Sequence, residues 1–224
     1  MGEESLTEIL EPLGEAQIAV FVSGEARGSN MQALLDACME KRILGEVRVV
    51  VGTRAEAPAL ARARDAGVSV HVVSPRKYEG QEDAYAEALL RLLQRYAINL
   101  VCLAGYLLRL PEPVVAAYPY RVLNIHPALL PLFGGKGMYG KRVHEAVIES
   151  GMKVTGCTVH FVDNDYDTGP ILVQRAIRVF DEDTPETLAA RLLPEEHRAY
   201  VEAVEIRTSR WLRVEGRRVV TYHP

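Results

Sequence analysis

The sequence predicts an α/β fold: a mainly parallel sheet with helices on both faces and an antiparallel C-terminal extension. Three observations predict it. As far as residue 126, short apolar runs closed by glycine or proline alternate with segments of helical period. Such alternation builds a parallel sheet with helices packed on both sides. Beyond residue 150 the order changes. Two strand-like runs flank one polar loop, and a last pair flanks Gly216, which is hairpin pairing.

Each element follows from its residues. Ile18–Val22 is an unbroken apolar run closed by Ser23-Gly24, the pattern of a strand buried on both faces. Met31, Leu34, Leu35 and Cys38 then recur at helical spacing, with Ser29 or Asn30 as the candidate cap. Val47–Val51 is a second strand, and Ala57–Ala66 a helix closed by Gly67. Val68–Val73 is a third strand. Tyr85, Ala88, Leu89, Leu92 and Leu93 give the helix Glu82–Tyr96 one buried stripe. Leu100–Leu103 and Val122–His126 are strands around a short helix, Pro113–Tyr118. Arg142–Ser150 is helical, and Lys153–Val162 and Ile171–Val179 are strands. Thr184-Pro185-Glu186-Thr187 opens one helix, or a pair broken at Pro194.

Composition sets the limits. With 224 residues, 48% of them hydrophobic, the chain suits a single domain over residues 17–224. Residues 1–16 carry Glu3, Glu4, Glu8, Glu11 and Glu15, an acidic tail or short helix. A net charge of -4 and 7% aromatics leave no nucleic-acid signature. There is no basic start with an apolar run for secretion, and no run long enough to span a membrane. Cys38, Cys102 and Cys157 are odd in number and widely separated, which favours buried thiols in a reducing compartment. The expectation is a cytoplasmic protein, monomer or homodimer, with small-molecule partners and neither nucleic acid nor membrane.

The chemistry centres on Leu123-Asn124-Ile125-His126-Pro127-Ala128-Leu129-Leu130-Pro131. Asn124 and His126 are two apart on a strand, so both project to one face. Pro127 ends the ladder where these polar side chains are presented. Open α/β sheets bind ligands at such strand ends. A satisfied strand end would look the same, so the pair gains weight only from other residues. The glycine loop Ser23–Asn30 is one: strand, loop and helix offer backbone N–H groups to an anion. It matches neither a Walker A loop nor the dinucleotide fingerprint.

Asp163, Asp165 and Asp167 match the first ligands of a calcium loop, but Thr168 and Gln174 stand where glycine and glutamate are required. Zinc held by His126, His160 and an aspartate lacks local ligand spacing. No metal is expected. Acid–base work remains. Asp167 beside His126 would favour the imidazolium and make a cation near neutral pH. With the Asn124 amide it could stabilise a carbonyl oxygen during acyl transfer. No nucleophile elbow is present, so the nucleophile would come from a substrate.

Taken together, Ser23-Gly24 with Gly28-Ser29-Asn30, Ala104-Gly105-Tyr106, Asn124–Pro131, Thr158–Asp163, Asp167-Thr168-Gly169-Pro170 and Glu196-His197 resemble the phosphoribosylglycinamide formyltransferase family from about Ile18 to Val204. The resemblance implies a formyltransferase-type, Rossmann-like fold. It implies formyl transfer from 10-formyltetrahydrofolate, the cosubstrate, to the glycyl amine of 5'-phosphoribosylglycinamide in purine synthesis. Asn124, His126 and Asp167 would then be catalytic and His160 supporting. Arg27, Gly28, Ser29, Asn30 and Met31 would surround the phosphate. Leu193, Pro194, Glu195 and Glu196 would hold the ribose and glycinamide part. Leu107, Leu108, Arg109 and Leu110, with Asn124 and the loop Asp163, Asn164, Asp165, Tyr166 and Asp167, would take the folate.

The chain departs from the family pattern in places. The phosphate loop is two residues longer, with Arg27 as a compensating contact; the basic residue expected at Leu108 comes one later, at Arg109; and Glu82 replaces an arginine. Two relatives with the same arrangement are rival readings: a formyltetrahydrofolate deformylase, which adds an N-terminal domain, and a methionyl-tRNA formyltransferase, which adds a basic C-terminal one.

Overall fold

The computed structural model describes residues 7–224. The chain forms two compact units, one of Glu15–Asn124 and one joining residues 7–14 to Ile125–Pro224. The described residues begin on strand β1 (Thr7–Leu10). This corrects the short-helix expectation for that stretch. Its residues find a sheet edge and pair antiparallel with Leu212–Glu215, which satisfies backbone groups that a lone helical turn would leave to water. Residues 1–6 of the expected tail lie outside the described residues.

The unit Glu15–Asn124 holds β2 (Ala16–Val22), α1 (Ser29–Met39), β3 (Gly45–Gly52), α2 (Pro58–Asp65), β4 (Ser69–Val72), a 3-10 turn at Pro75–Tyr78, α3 (Glu82–Arg95), β5 (Leu100–Leu103) and α4 (Glu112–Ala117). It also holds the start of β6 (Val122–His126). The strand order is β6-β5-β2-β3-β4, all parallel. β2 and β5 are buried along nearly their whole length, as continuous apolar runs require. The chain leaves β2 toward β3 on one side, while β5 pairs on the other. The crevice beyond the ends of β2 and β5 is therefore a topological switch point, where such sheets bind ligands.

The other unit takes the end of β6, then α5 (Lys141–Glu149), β7 (Val154–Phe161), β8 (Ile171–Arg178), α6 (Pro185–Ser209), β9 (Trp211–Glu215) and β10 (Arg218–Tyr222). Its strand order is β1-β9-β10-β8-β7-β6. β7 and β8 are antiparallel, as are β9 and β10, so the antiparallel extension is present. β10 joins β8 in parallel at Arg218 and Ile171. α6 packs on β7 and β8. Thr184 and Thr187 cap it reciprocally, each backbone N–H donating to the other's hydroxyl at 3.2 and 2.9 Å. Pro194 lies inside a continuous helix, so of the two arrangements left open the single helix forms. Among the described residues no helix is long and apolar enough to cross a membrane.

Candidate active site

β6 carries Asn124 and His126 on one face, and the loop that follows is tied down from beneath. Thr158 on β7 is fully buried. Its hydroxyl donates to the Ala128 carbonyl at 2.7 Å and accepts from the Leu130 N–H at 3.0 Å. Gln174 on β8 donates to both Thr158 Oγ1 and the Leu130 carbonyl at 3.0 Å. The turn at Pro127–Pro131 is thus fixed on β7 and β8.

Within that unit the structure brings His126, His160 and Asp167 together. His126 is 4% exposed and His160 1%. Asp167 Oδ2 lies 3.5 Å from His126 Nδ1, and Oδ1 lies 3.4 Å from His160 Nε2. The outer nitrogen of each ring is already committed. His126 Nε2–H donates to the Phe133 carbonyl at 2.8 Å, and His160 Nδ1–H to the Phe161 carbonyl at 2.9 Å. When both imidazoles are neutral, each therefore turns a lone pair toward the carboxylate. Gly135 N–H donates to Asp167 Oδ2 at 2.9 Å.

The electrostatics correct one expectation. Burial pulls the His126 imidazole below the ordinary histidine value, and this outweighs the Asp167 carboxylate and the Phe133 carbonyl, which favour the cation. The resting ring is thus disposed to be neutral, not a standing imidazolium. Burial also works to raise the Asp167 carboxyl, but His160, His126 and the Gly135 N–H together hold it below the usual carboxylate range. The zinc set considered from residue types meets as a carboxylate between two rings. Among the described residues no group of three or more His, Cys, Asp or Glu could hold a metal ion.

Asp167 itself sits at φ 59, a left-handed conformation costing a non-glycine residue about 1–2 kcal/mol. In the same loop Thr168 Oγ1 donates to both carboxylate oxygens of Asp163, at 2.7 and 2.9 Å, and Asp165 N–H to Oδ1 at 3.2 Å. The Asp163 carboxylate thus serves as the loop's internal brace. On α6, the Glu195 carboxylate is taken by Arg175, at 3.4 Å, and by Arg198. Arg175 also binds Glu202 at 2.6 Å. Glu195 therefore ties the helix to β8. Glu196 follows it, half-buried, and Leu193 and Pro194 precede it.

The other unit brings two further expected segments together. Ser23 N–H donates to the Gly105 carbonyl at 3.1 Å, and Ser23 Oγ accepts from Leu107 N–H at 2.8 Å. The glycine loop and the segment after β5 are thus neighbours at the switch point. α1 starts without a side-chain cap: Gly28, at φ 79, is the N-cap, so neither Ser29 nor Asn30 fills that role. A side chain has no room at that cap, since a Cβ at Gly28 would lie 2.9 Å from that of Ala59. No acidic residue stands in the first turn, which leaves the positive end of the helix for an anion. Met31 is fully buried and Leu110 is 2% exposed, so only their main chains can serve a ligand. Leu107 and Leu108 are each 40% exposed, an apolar surface beside the loop. Arg27 and Arg109 are exposed.

Residue types alone did not single out Arg54, which follows β3 and lies against the glycine loop. Its side-chain stem lies over Gly24, so closely that a Cβ there would meet Cδ at 2.7 Å. A basic residue just after a strand adjoining β2 was the available signal. A separate open depression of about 580 Å³, lined by Leu35, Met39, Val47 and Tyr96 among others, lies toward the opposite ends of β3 and β4.

Residues 16–204 match the model of a family described as formyl transferase. The chain is 46% identical over 188 residues to a chloroplastic phosphoribosylglycinamide formyltransferase of Arabidopsis thaliana, covering 84% of this chain and 64% of that protein's length. It is 38% identical over 183 residues to the phosphoribosylglycinamide formyltransferase of Escherichia coli (strain K12), covering 82% of each. In structure it is similar to glycinamide ribonucleotide transformylase 1 from Symbiobacterium toebii, with a TM-score of 0.85 and 45% identity over 93% of this chain and 95% of that one. The match includes the strand-end pair, the Asp167 loop and the glycine loop, and the chain belongs to the formyl transferase family.

Proposed function

We propose that this chain transfers a formyl group from 10-formyltetrahydrofolate to the amine of 5'-phosphoribosylglycinamide. The observation that carries the proposal is the Asp167 carboxylate set between His126 and His160 at the end of the strand that also presents Asn124. The reaction forms one C–N bond and breaks another. The attacking amine must lose a proton, and the departing folate nitrogen must gain one. The Asn124 amide offers N–H donors to the formyl oxygen as it gains charge, while His126 stays neutral until the amine's proton reaches it. Asp167, held as a carboxylate, draws the proton from the amine and stabilises it on the adjoining rings. An imidazolium whose pKa is lowered by burial is a stronger acid and gives its proton readily to the leaving nitrogen.

The glycine loop takes the phosphate through the first N–H groups of α1, with Arg27 and Arg54 as the nearby cations. Leu107 and Leu108 give the folate ring an apolar wall. Glu196 serves the ribose and glycinamide part.

The test incubates the purified protein with the nucleotide and formylated folate and follows the release of unformylated folate. Release that requires the nucleotide is expected, and EDTA leaves its rate unchanged. Equal release without nucleotide would make the protein a hydrolase and overturn the proposal.

A further inference from the structure

Asp167 holds a left-handed conformation that an L-residue keeps only where its surroundings impose it. Several of those surroundings lie within the loop. Gly169 has no room for a side chain, since a Cβ would stand 1.9 Å from the Phe161 carbonyl. Phe161 N–H donates to the Pro170 carbonyl at 2.8 Å, and Thr168 is tied to Asp163. The Asp167 peptide is also gripped from outside the loop. Arg217, in the turn between β9 and β10, donates from Nη2 to the Asp167 carbonyl at 3.1 Å. The Arg217 carbonyl accepts from Ile171 N–H at 3.0 Å, and Arg218 is the ladder partner of Ile171. One residue of the last hairpin thus holds both ends of the segment from Asp167 to Ile171. Residue 217 lies beyond the span that the family model matches.

We propose that Arg217 is a positioning residue: its guanidinium fixes the Asp167 peptide so that the carboxylate faces both His126 and His160. The inference rests on the proton-carrying role given to Asp167 above. The hairpin β9–β10 is then part of the working apparatus and not only the margin of a sheet. Arg217 is exposed, and its guanidinium touches a main-chain oxygen. Its effect therefore passes through the geometry of Asp167 and not through the substrate.

The experiment compares Arg217→Ala and Arg217→Lys in the full chain with the unaltered protein. For Arg217→Ala, kcat falls about tenfold while both KM values stay within about twofold, the split expected when a reacting group is misplaced but binding is not. Arg217→Lys recovers most of the rate. In an Asp167→Asn background Arg217→Ala causes no further fall, because both changes act on one group. Without either substrate, the ring nitrogen NMR resonances of His126 and His160 move in Arg217→Ala. An unchanged kcat, a rise confined to KM, a full tenfold fall in the Asp167→Asn background, or unmoved resonances would each overturn the assignment. A lowered melting temperature with unchanged kcat would make Arg217 merely structural and also overturn it. Should Arg217→Ala not fold, the lysine variant and its resonances carry the test. If the unaltered protein transfers no formyl group, the functional reading fails, while the resonances still report on Arg217.

Discussion

His160 Nε2 lies 3.4 Å from Asp167 Oδ1, and the other nitrogen of that ring is spent on the Phe161 carbonyl. His126 stands against the other oxygen of the same carboxylate, with its outer nitrogen spent on Phe133. A carboxylate between two such rings can hand an arriving proton to a ring on either side. Two extra protons would place two cations in a buried site around one anion, which burial disfavours. The arrangement suits a proton that arrives with one substrate and leaves with the other.

Asp167→Asn removes the charge and keeps the shape. A positioned acid–base group contributes about 10²–10⁴ in rate, so kcat should fall by at least about a hundredfold. Dissociation constants for both substrates should change little, because the amide still fills the space and the lost stabilisation belongs to the transition state. Single-turnover rates beside equilibrium binding check this. A kcat within threefold of the unaltered protein would remove Asp167 from the mechanism.

Arg54 supplies a second prediction. Its stem rests on Gly24, so Gly24→Ala must push it aside. If the guanidinium contributes to phosphate binding, Arg54→Gln should raise KM for the nucleotide about tenfold, the cost of one exposed charge-assisted hydrogen bond. KM for the dephosphorylated riboside should not move. Gly24→Ala should follow the same pattern. An equal effect on nucleotide and riboside would place Arg54 outside phosphate recognition.

Much of this was legible in the residues, for local reasons. Leu100–Leu103 and Val122–His126 form at the expected bounds because glycine, arginine and proline punctuate short apolar runs. The pairing of Asn124 with His126 follows from strand alternation alone. What stayed hidden depends on distant contacts. Thr7–Leu10 is a strand only because Leu212–Glu215 offers an edge. The resting charge of His126 turns on how deeply the ring is buried, and a carboxylate nearby in the sequence reading suggested the opposite sign. The ion pair of Glu195 with Arg175 could not be read from the residues, because β8 and α6 meet only in the fold. Ala59, a helix away, leaves no room for a side chain at the Gly28 cap. Arg54 and Arg217 are exposed cations, and only the folded chain shows what their side chains lie upon.

His144 gives a prediction on pH. It is 4% exposed on α5, and its Nδ1 has no hydrogen-bond partner among the described residues. Burial, then the nearby His126, hold its pKa below the ordinary value. The unfolded chain thus binds this proton more readily than the folded one. Stability should be level above about pH 6.5 and fall as the pH drops from there toward the folded value. His144→Gln removes that titration. Melting temperatures at pH 7 and pH 5 should therefore differ less in the variant than in the unaltered protein. His126 and His197, also lowered, leave some slope in both. An equal fall in the two proteins would show that His144 does not titrate in this range.

Thr158→Val tests the support beneath the loop that follows His126. Valine matches threonine in shape but lacks the hydroxyl that donates to Ala128 and accepts from Leu130 and Gln174. The Ala128 carbonyl and the Leu130 N–H lose a buried partner, and each such loss costs about 1–3 kcal/mol. Gln174 keeps its bond to the Leu130 carbonyl, which limits the damage. A total near 3 kcal/mol should lower the melting temperature by roughly 6–12 °C, at about 2–4 °C per kcal/mol for a chain of this size. Thr158→Ser keeps the hydroxyl and gives up one methyl group, so its midpoint should fall between the two. Because the same loop carries the Phe133 carbonyl that orients His126, kcat of the valine variant should fall as well, measured below its melting range. A valine variant that melts later than the serine variant would mean that the methyl group, and not the hydroxyl, holds this loop in place.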